Sequence, residues 1–170
     1  MKNMRKLSEI KAFEDEFELF EMDAARVIGK AVRSGGQQGK QAELLWGEVM
    51  GTKVHEQLVA LPDVIADSLV GYMCEEQADG SVLYILGALA PAGSAVPEGM
   101  EYRDIPACVV AKGLFGDELT DTVAKAREAG YDAEWPPFTW SAELFVLPED
   151  EQAADTNVMP RHWLIPVKKA

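Results

Sequence analysis

The chain has 170 residues, 48% of them hydrophobic, which suffices for one ordinary globular core and leaves no room for two comfortable domains. Its formal net charge is -13, with lysines and arginines scattered rather than clustered, which argues against nucleic acid as a direct partner. No apolar run is long enough to span a bilayer and no charged-then-apolar signal opens the chain, so a cytoplasmic protein without a membrane partner is expected.

The opening stretch KLSEIKAFEDEF sets Leu7, Ile10, Phe13 and Phe17 at helical spacing around Ser8, which predicts a short helical leader over residues 1–15, outside the core. ELFEMDAARVIGKAV alternates and reads as extended; RSGGQQG follows as a loop. Ala42, Leu45, Trp46, Val49, Met50, Val54, Leu58 and Leu61 then recur at three and four, one helical stripe ending near Pro62. SLVGYMCEE and SVLYILGALA read as strands, and Asp79-Gly80 between them is a hairpin signal. After the Pro/Gly-rich PAGSAVPEG the order restarts. MEYRDIPACVVAKGLF is extended, and DELTDTVAKAREAG is a helix with Asp117 as N-cap and Gly130 as its stop. FTWSAELFVLP and RHWLIPVKK are two further strands.

Strand, helix, strand, strand thus occurs twice. The expected fold is α+β, a duplicated βαββ unit within one domain over 16–170, its pseudo-equivalent halves at about 16–92 and 99–170. Two such halves side by side enclose a central cleft, a common place for a small-molecule site.

Glu143 interrupts an otherwise apolar strand in FTWSAELFVLPED. Period two puts Ser141, Glu143, Phe145 and Leu147 on one face and Ala142, Leu144 and Val146 on the other, and both faces are apolar enough to be covered. A carboxylate there is expensive to bury unpaired. It reaches solvent at an edge, pairs with a Lys or Arg of a neighbouring strand, or lines the cleft. In the cleft it can compensate a ligand cation while ring faces add cation–π attraction, and partial desolvation equips it for general acid/base work. Trp46 on the helical stripe, Tyr72 and Tyr84 in the first hairpin and Trp163 in the last strand are candidate walls, with core packing as the alternative for each. Trp140 falls on the face opposite Glu143, as a rim residue, and Trp135 in EWPPF caps a loop.

Cys74 and Cys108 lie in strand-like runs and read as small buried side chains. His55 and His162 have no ligand-like spacing, so neither a metal site nor a cofactor is expected. SGGQQGKQ departs from a phosphate loop at Ser34 and Gln41, and the acidic runs EDEFE and PEDEQAAD read as solvated surface rather than calcium loops.

In their order and spacing, VLYILGALA, MEYRDIPACVVAKGLFG, the AELF run from Ala142 to Phe145 and the closing HWLIPVKK resemble the GyrI-like small-molecule-binding domains, from about Phe17 onward. These bacterial domains also form the effector-binding half of multidrug-responsive and AraC-type transcription regulators. The resemblance implies a duplicated, SHS2-like βαββ fold that binds a hydrophobic, often aromatic or cationic molecule in its central cleft. Many members carry a Glu two residues before an aromatic on the penultimate strand, matched here by Glu143 and Phe145; where Tyr is commoner, Phe145 lacks the hydroxyl. Without a preceding helix-turn-helix, a stand-alone binder that senses or sequesters its ligand is expected. Other members resemble hydrolases of cyclopropane-bearing genotoxins, in which case Glu143 would be catalytic, directing water onto a strained electrophile. A third reading is a protein-interaction module, as for members that modulate a topoisomerase. No oligomeric state is implied.

Overall fold

Alternating apolar residues build most of the molecule. A computed structural model describes residues 4–10, 16–65, 68–114, 118–133, 140–146 and 162–170. The strands are β1 (Arg5–Lys6), β2 (Glu18–Met22), β3 (Ala25–Ser34), β4 (Ser68–Cys74), β5 (Val82–Pro91), β6 (Glu101–Ile105), β7 (Cys108–Leu114), β8 (Tyr131–Ala133), β9 (Trp140–Val146) and β10 (His162–Lys169). The helices are α1 (Gln41–Val49), α2 (Lys53–Val59) and α3 (Leu119–Glu128). The strands form one mixed sheet in the order β1-β2-β7-β10-β9-β4-β5-β3-β6, with β8 also paired to β10. The fold is α+β, as expected.

Paired residues share a sheet face, so the register assigns every side chain to one of two layers. One face carries the helices: α1 and α2 pack on β3 and β5, and α3 packs on β7 and β8. Leu45, Val49 and Leu58 from α1 and α2 bury against Leu69, Tyr84, Leu86 and Phe145. Ala126 of α3 buries against Ala111 and Ile165. The other face carries the largest core cluster, including Phe20, Val27, Val70, Ile85, Val110, Leu144 and Leu164.

Three elements depart from expectation. The opening segment is not a helical leader among its described residues. Arg5 and Lys6 pair in parallel with Phe20 and Glu21, and Leu7–Glu9 makes a single 3-10 turn. Leu7 is fully buried and Ile10 nearly so, within the large core cluster. A short helix gains little by itself, whereas burying Leu7 and pairing an open strand edge gain a layer of contacts. Phe13 lies outside the described residues.

The stripe from Ala42 to Leu61 is two helices rather than one. Met50 is extended and Gly51 takes φ 77°, a left-handed conformation that glycine adopts without Cβ strain. The Thr52 hydroxyl donates to the Val49 carbonyl at 2.5 Å, satisfying one acceptor of the broken turn. The apolar stripe survives the break because both helices lie on the same core cluster.

The extended segment around Tyr102 is also divided, into β6 and β7, at Pro106, which has no N–H for a ladder. The two strands go to different places: β6 pairs with β3 and β7 with β2 and β10. Likewise β2, which the sequence pattern places together with β3, pairs with β7 instead.

Elsewhere the signals hold. β4 and β5 are a hairpin, and Asp79 accepts from the Ser81 amide at 3.0 Å and from the Gln37 amide at 3.1 Å. Gly130, at φ 90°, follows α3. Asp117, Trp135 and Leu147 lie outside the described residues.

Candidate functional site

Glu143 belongs to a row of paired residues crossing the helix-bearing face. Gly113 on β7 pairs with Trp163 on β10, Trp163 with Glu143 on β9, Glu143 with Gly71 on β4, and Gly71 with Leu86 on β5. The helices rest chiefly on the strands beyond this row's centre, so Glu143 stands on the strip between α1–α2 and α3.

Gly71 has a steric role. A Cβ there would collide with the phenol oxygen and ring of Tyr84. The bare glycine lets Tyr84 lie across β4 and point its hydroxyl at Glu143. Trp46 sets the direction of that hydroxyl: its Nε1 donates to Tyr84 Oη at 2.8 Å, so the phenol oxygen acts as acceptor and its own proton goes to the Glu143 carboxylate. The Trp46 ring also lies on Phe145, centroids 4.2 Å apart and tilted by 52°.

Burial pushes the Glu143 pKa up, and the Tyr84 hydrogen bond, which favours the carboxylate, only partly opposes it. Burial likewise raises the Tyr84 phenol, with the Glu143 charge adding to the rise. No Lys or Arg forms an ion pair with Glu143 among the described residues. The alternative of a structural salt bridge on a neighbouring strand therefore has no partner there. Among the described residues, what remains is a half-buried carboxylate hydrogen-bonded by a neutral phenol.

Of the sequence candidates, Glu143, Phe145, Trp46 and Tyr84 come together. Phe145 and Tyr84 are almost wholly buried in the core, whereas Trp46 is half-buried. Trp163 shares the face and the row, but its Nε1 donates to Thr122 Oγ1 on α3 at 2.9 Å and its ring lies over Gly113. Tyr72 does not join them. It pairs with Ala142 and Ile85 on the opposite face and stacks on Trp140, centroids 5.6 Å apart. Tyr72 and Glu143 sit at neighbouring rows whose side chains leave the sheet on opposite sides.

Gly71, Gly113 and Thr122 were missed from sequence. The available signal was an isolated glycine within each of two strands, which marks a place where something approaches the backbone closely. Cys74 is buried with its thiol pKa pushed up, as a small core side chain. Among the described residues no group of three or more His, Cys, Asp or Glu is placed to hold a metal ion.

No protein-family model and no curated protein matches the sequence. Solved structures do. SAV2435, solved bound to tetraphenylphosphonium, aligns over 90% of this chain and 94% of its own at 14% identity, with a TM-score of 0.58. The EcmrR C-terminal domain aligns over 91% and 98% at 14% identity, with a TM-score of 0.51. The chain has the GyrI-like fold. A hydrolase encoded by lin2189 of Listeria innocua also matches, over 98% of this chain and 100% of its own at 12% identity, with a TM-score of 0.51. In this chain Phe145 packs against Trp46, and the hydroxyl beside the Glu143 carboxylate is that of Tyr84.

Proposed function

We propose that this chain binds a small hydrophobic molecule, by preference an aromatic cation, at Glu143 on the strip between α1–α2 and α3. The observation that carries this is a half-buried carboxylate without a basic partner among the described residues, beside the rings of Trp46, Phe145 and Tyr84. Such a carboxylate is costly to ionise when empty and is satisfied by an incoming positive charge. A bulky organic cation is weakly hydrated, so it gives up little to enter an apolar wall and gains Coulomb and cation–π attraction there. The tetraphenylphosphonium bound by SAV2435 is a ligand of this class and supports the reading. Calorimetric titration of wild type and Glu143→Gln with tetraphenylphosphonium tests it: saturable binding that the substitution weakens is expected, and absence of binding by wild type overturns it. Sensing or sequestration in the cytoplasm fits this activity, with no nucleic acid contacted directly, in keeping with the net charge of -13.

We infer as well that the domain is a duplicated βαββ unit, β3-α1-α2-β4-β5 and β7-α3-β9-β10, arranged about the seam between β4 and β9. The central strand order β7-β10-β9-β4-β5-β3, which reads alike from both ends, supports this. The halves drawn at about 16–92 and 99–170 then exchange β2 and β6. At the seam Gly71 and Glu143 occupy equivalent places. One half supplies the carboxylate; the other lacks a side chain there, and Tyr84 fills the room.

A second reading has one observation in its favour. A carboxyl with a raised pKa, hydrogen-bonded by Tyr84, is suited to holding or directing a water, as a hydrolase of strained electrophiles requires. Turnover of a cyclopropane-bearing aromatic substrate, abolished in Glu143→Gln with binding retained, decides for it.

A further inference from the structure

On β10, Trp163 has Gly113 as its neighbour on one side and Glu143 on the other. Its Nε1 and Cδ1 lie on the Gly113 side. Two features of two other elements agree on that choice. Gly113 has no side chain, and a Cβ there would collide with Trp163 Nε1 and with the Thr122 hydroxyl. Thr122, buried on α3, accepts the indole N–H at 2.9 Å. Tyr84 does the reverse at the other side of the row, lying over Gly71 toward Glu143. The Tyr84 hydroxyl thus reaches the carboxylate, while the N–H edge of the Trp163 indole is directed to Gly113 and Thr122.

We propose that Trp163, held over Gly113 by Thr122, is a specificity-determining residue that keeps the Glu143 side of β9 open to bulky aromatic cations. This rests on the reading of Glu143 as the cation-binding group and adds what sets the size of cation admitted. Turned the other way, the indole would occupy the volume next to the carboxylate. A compact cation would still reach Glu143, whereas a tetraaryl cation would meet the ring. Selectivity for size follows from three residues, of which only Trp163 meets the ligand, and only when its ring turns toward Glu143.

The test compares two probes of equal charge, tetraphenylphosphonium and benzyltrimethylammonium, by calorimetry on wild type, Gly113→Ala, Thr122→Val and Gly113→Ala/Trp163→Ala. In Gly113→Ala the new methyl displaces the ring, and affinity for the large cation is expected to fall by about tenfold or more, with the compact cation changed by less than about threefold. Thr122→Val keeps the shape and removes the acceptor, and the same selective loss is expected at about twofold to fivefold. Removing the ring in the double variant should restore binding of the large cation, which a merely damaged fold would not do. Equal losses for both probes, or no rescue, overturns the inference while leaving the Glu143 reading intact. Failure of wild type to bind either probe overturns the Glu143 reading, and this inference with it. If Gly113→Ala does not fold, Thr122→Val decides: unchanged size preference overturns the proposal.

Discussion

The ring of Tyr84 lies across Gly71, in space that a side chain at position 71 would occupy, and this crossing brings the Tyr84 hydroxyl to Glu143. The contact belongs to the core and to the candidate site together. Gly71→Ala should therefore destabilise the domain by about 1–3 kcal/mol, the range for forcing an extra methyl into a packed interior. The cost should depend on its neighbour. In urea titrations of Gly71→Ala, Tyr84→Ala and the double variant, the double should be markedly less destabilised than the sum of the singles. Additive losses would mean that the two residues do not share the space.

Glu143→Gln keeps size and most hydrogen bonding while removing charge. Losing a charge-assisted contact should weaken tetraphenylphosphonium by roughly 1.5–3 kcal/mol, about tenfold to a hundredfold. A neutral analogue of similar shape, triphenylphosphine oxide, should lose little, since its affinity comes from ring burial. The comparison is read from tryptophan fluorescence with both compounds. Equal losses would assign Glu143 to pocket shape rather than to charge recognition.

Stability and binding should respond to pH in opposite directions. The folded-state pKa of Glu143 is raised above its ordinary value of 4.5, so the folded state holds this proton more tightly than the unfolded state. Its contribution to stability is fully present below 4.5 and is lost as pH rises through the folded value. Cation affinity should climb over the same window, because the carboxylate is the form that binds. Urea titrations and ligand titrations across this range, on wild type and Glu143→Gln, should show both slopes in wild type and neither in the variant. A pH-independent affinity in wild type would argue against the carboxylate as the contact.

The loop between β4 and β5 offers a test remote from the site. Asp79 accepts hydrogen bonds from the Ser81 and Gln37 amides, and these hold its pKa at about 2, below the ordinary 3.8. The sign is the reverse of that for Glu143: the contribution is present above 3.8 and is lost as pH falls toward about 2. In Asp79→Ala, hydrogen exchange at Gln37 and Ser81 should quicken at neutral pH while amides of β9 and β10 keep their protection. Unchanged exchange at Gln37 would show that Asp79 does not tie the two loops together.

The sequence by itself determined most of the elements, because their signals are local. Period-two alternation placed Glu143 and Phe145 on one face and Trp140 on the other, and Asp79-Gly80 marked the β4–β5 hairpin. The repeated element order pointed to α+β. Other outcomes depended on partners distant in the chain. A single apolar stripe could not show that Gly51 would break it, since both helices keep the same buried face. Helical spacing at Leu7 and Ile10 lost to burial in a core that other strands provide. Strand pairing put β2 beside β7 and β6 beside β3, a choice made by which open edge lies nearby rather than by any local preference. The same holds at the site. That Tyr84 reaches Glu143 while Tyr72 faces away, and that Trp163 turns to Thr122, follows from register and from two glycines on neighbouring strands. Local periodicity says which face a side chain leaves by. Only the packed neighbours decide which way it then turns, because that direction is set by where space and a hydrogen-bond partner remain.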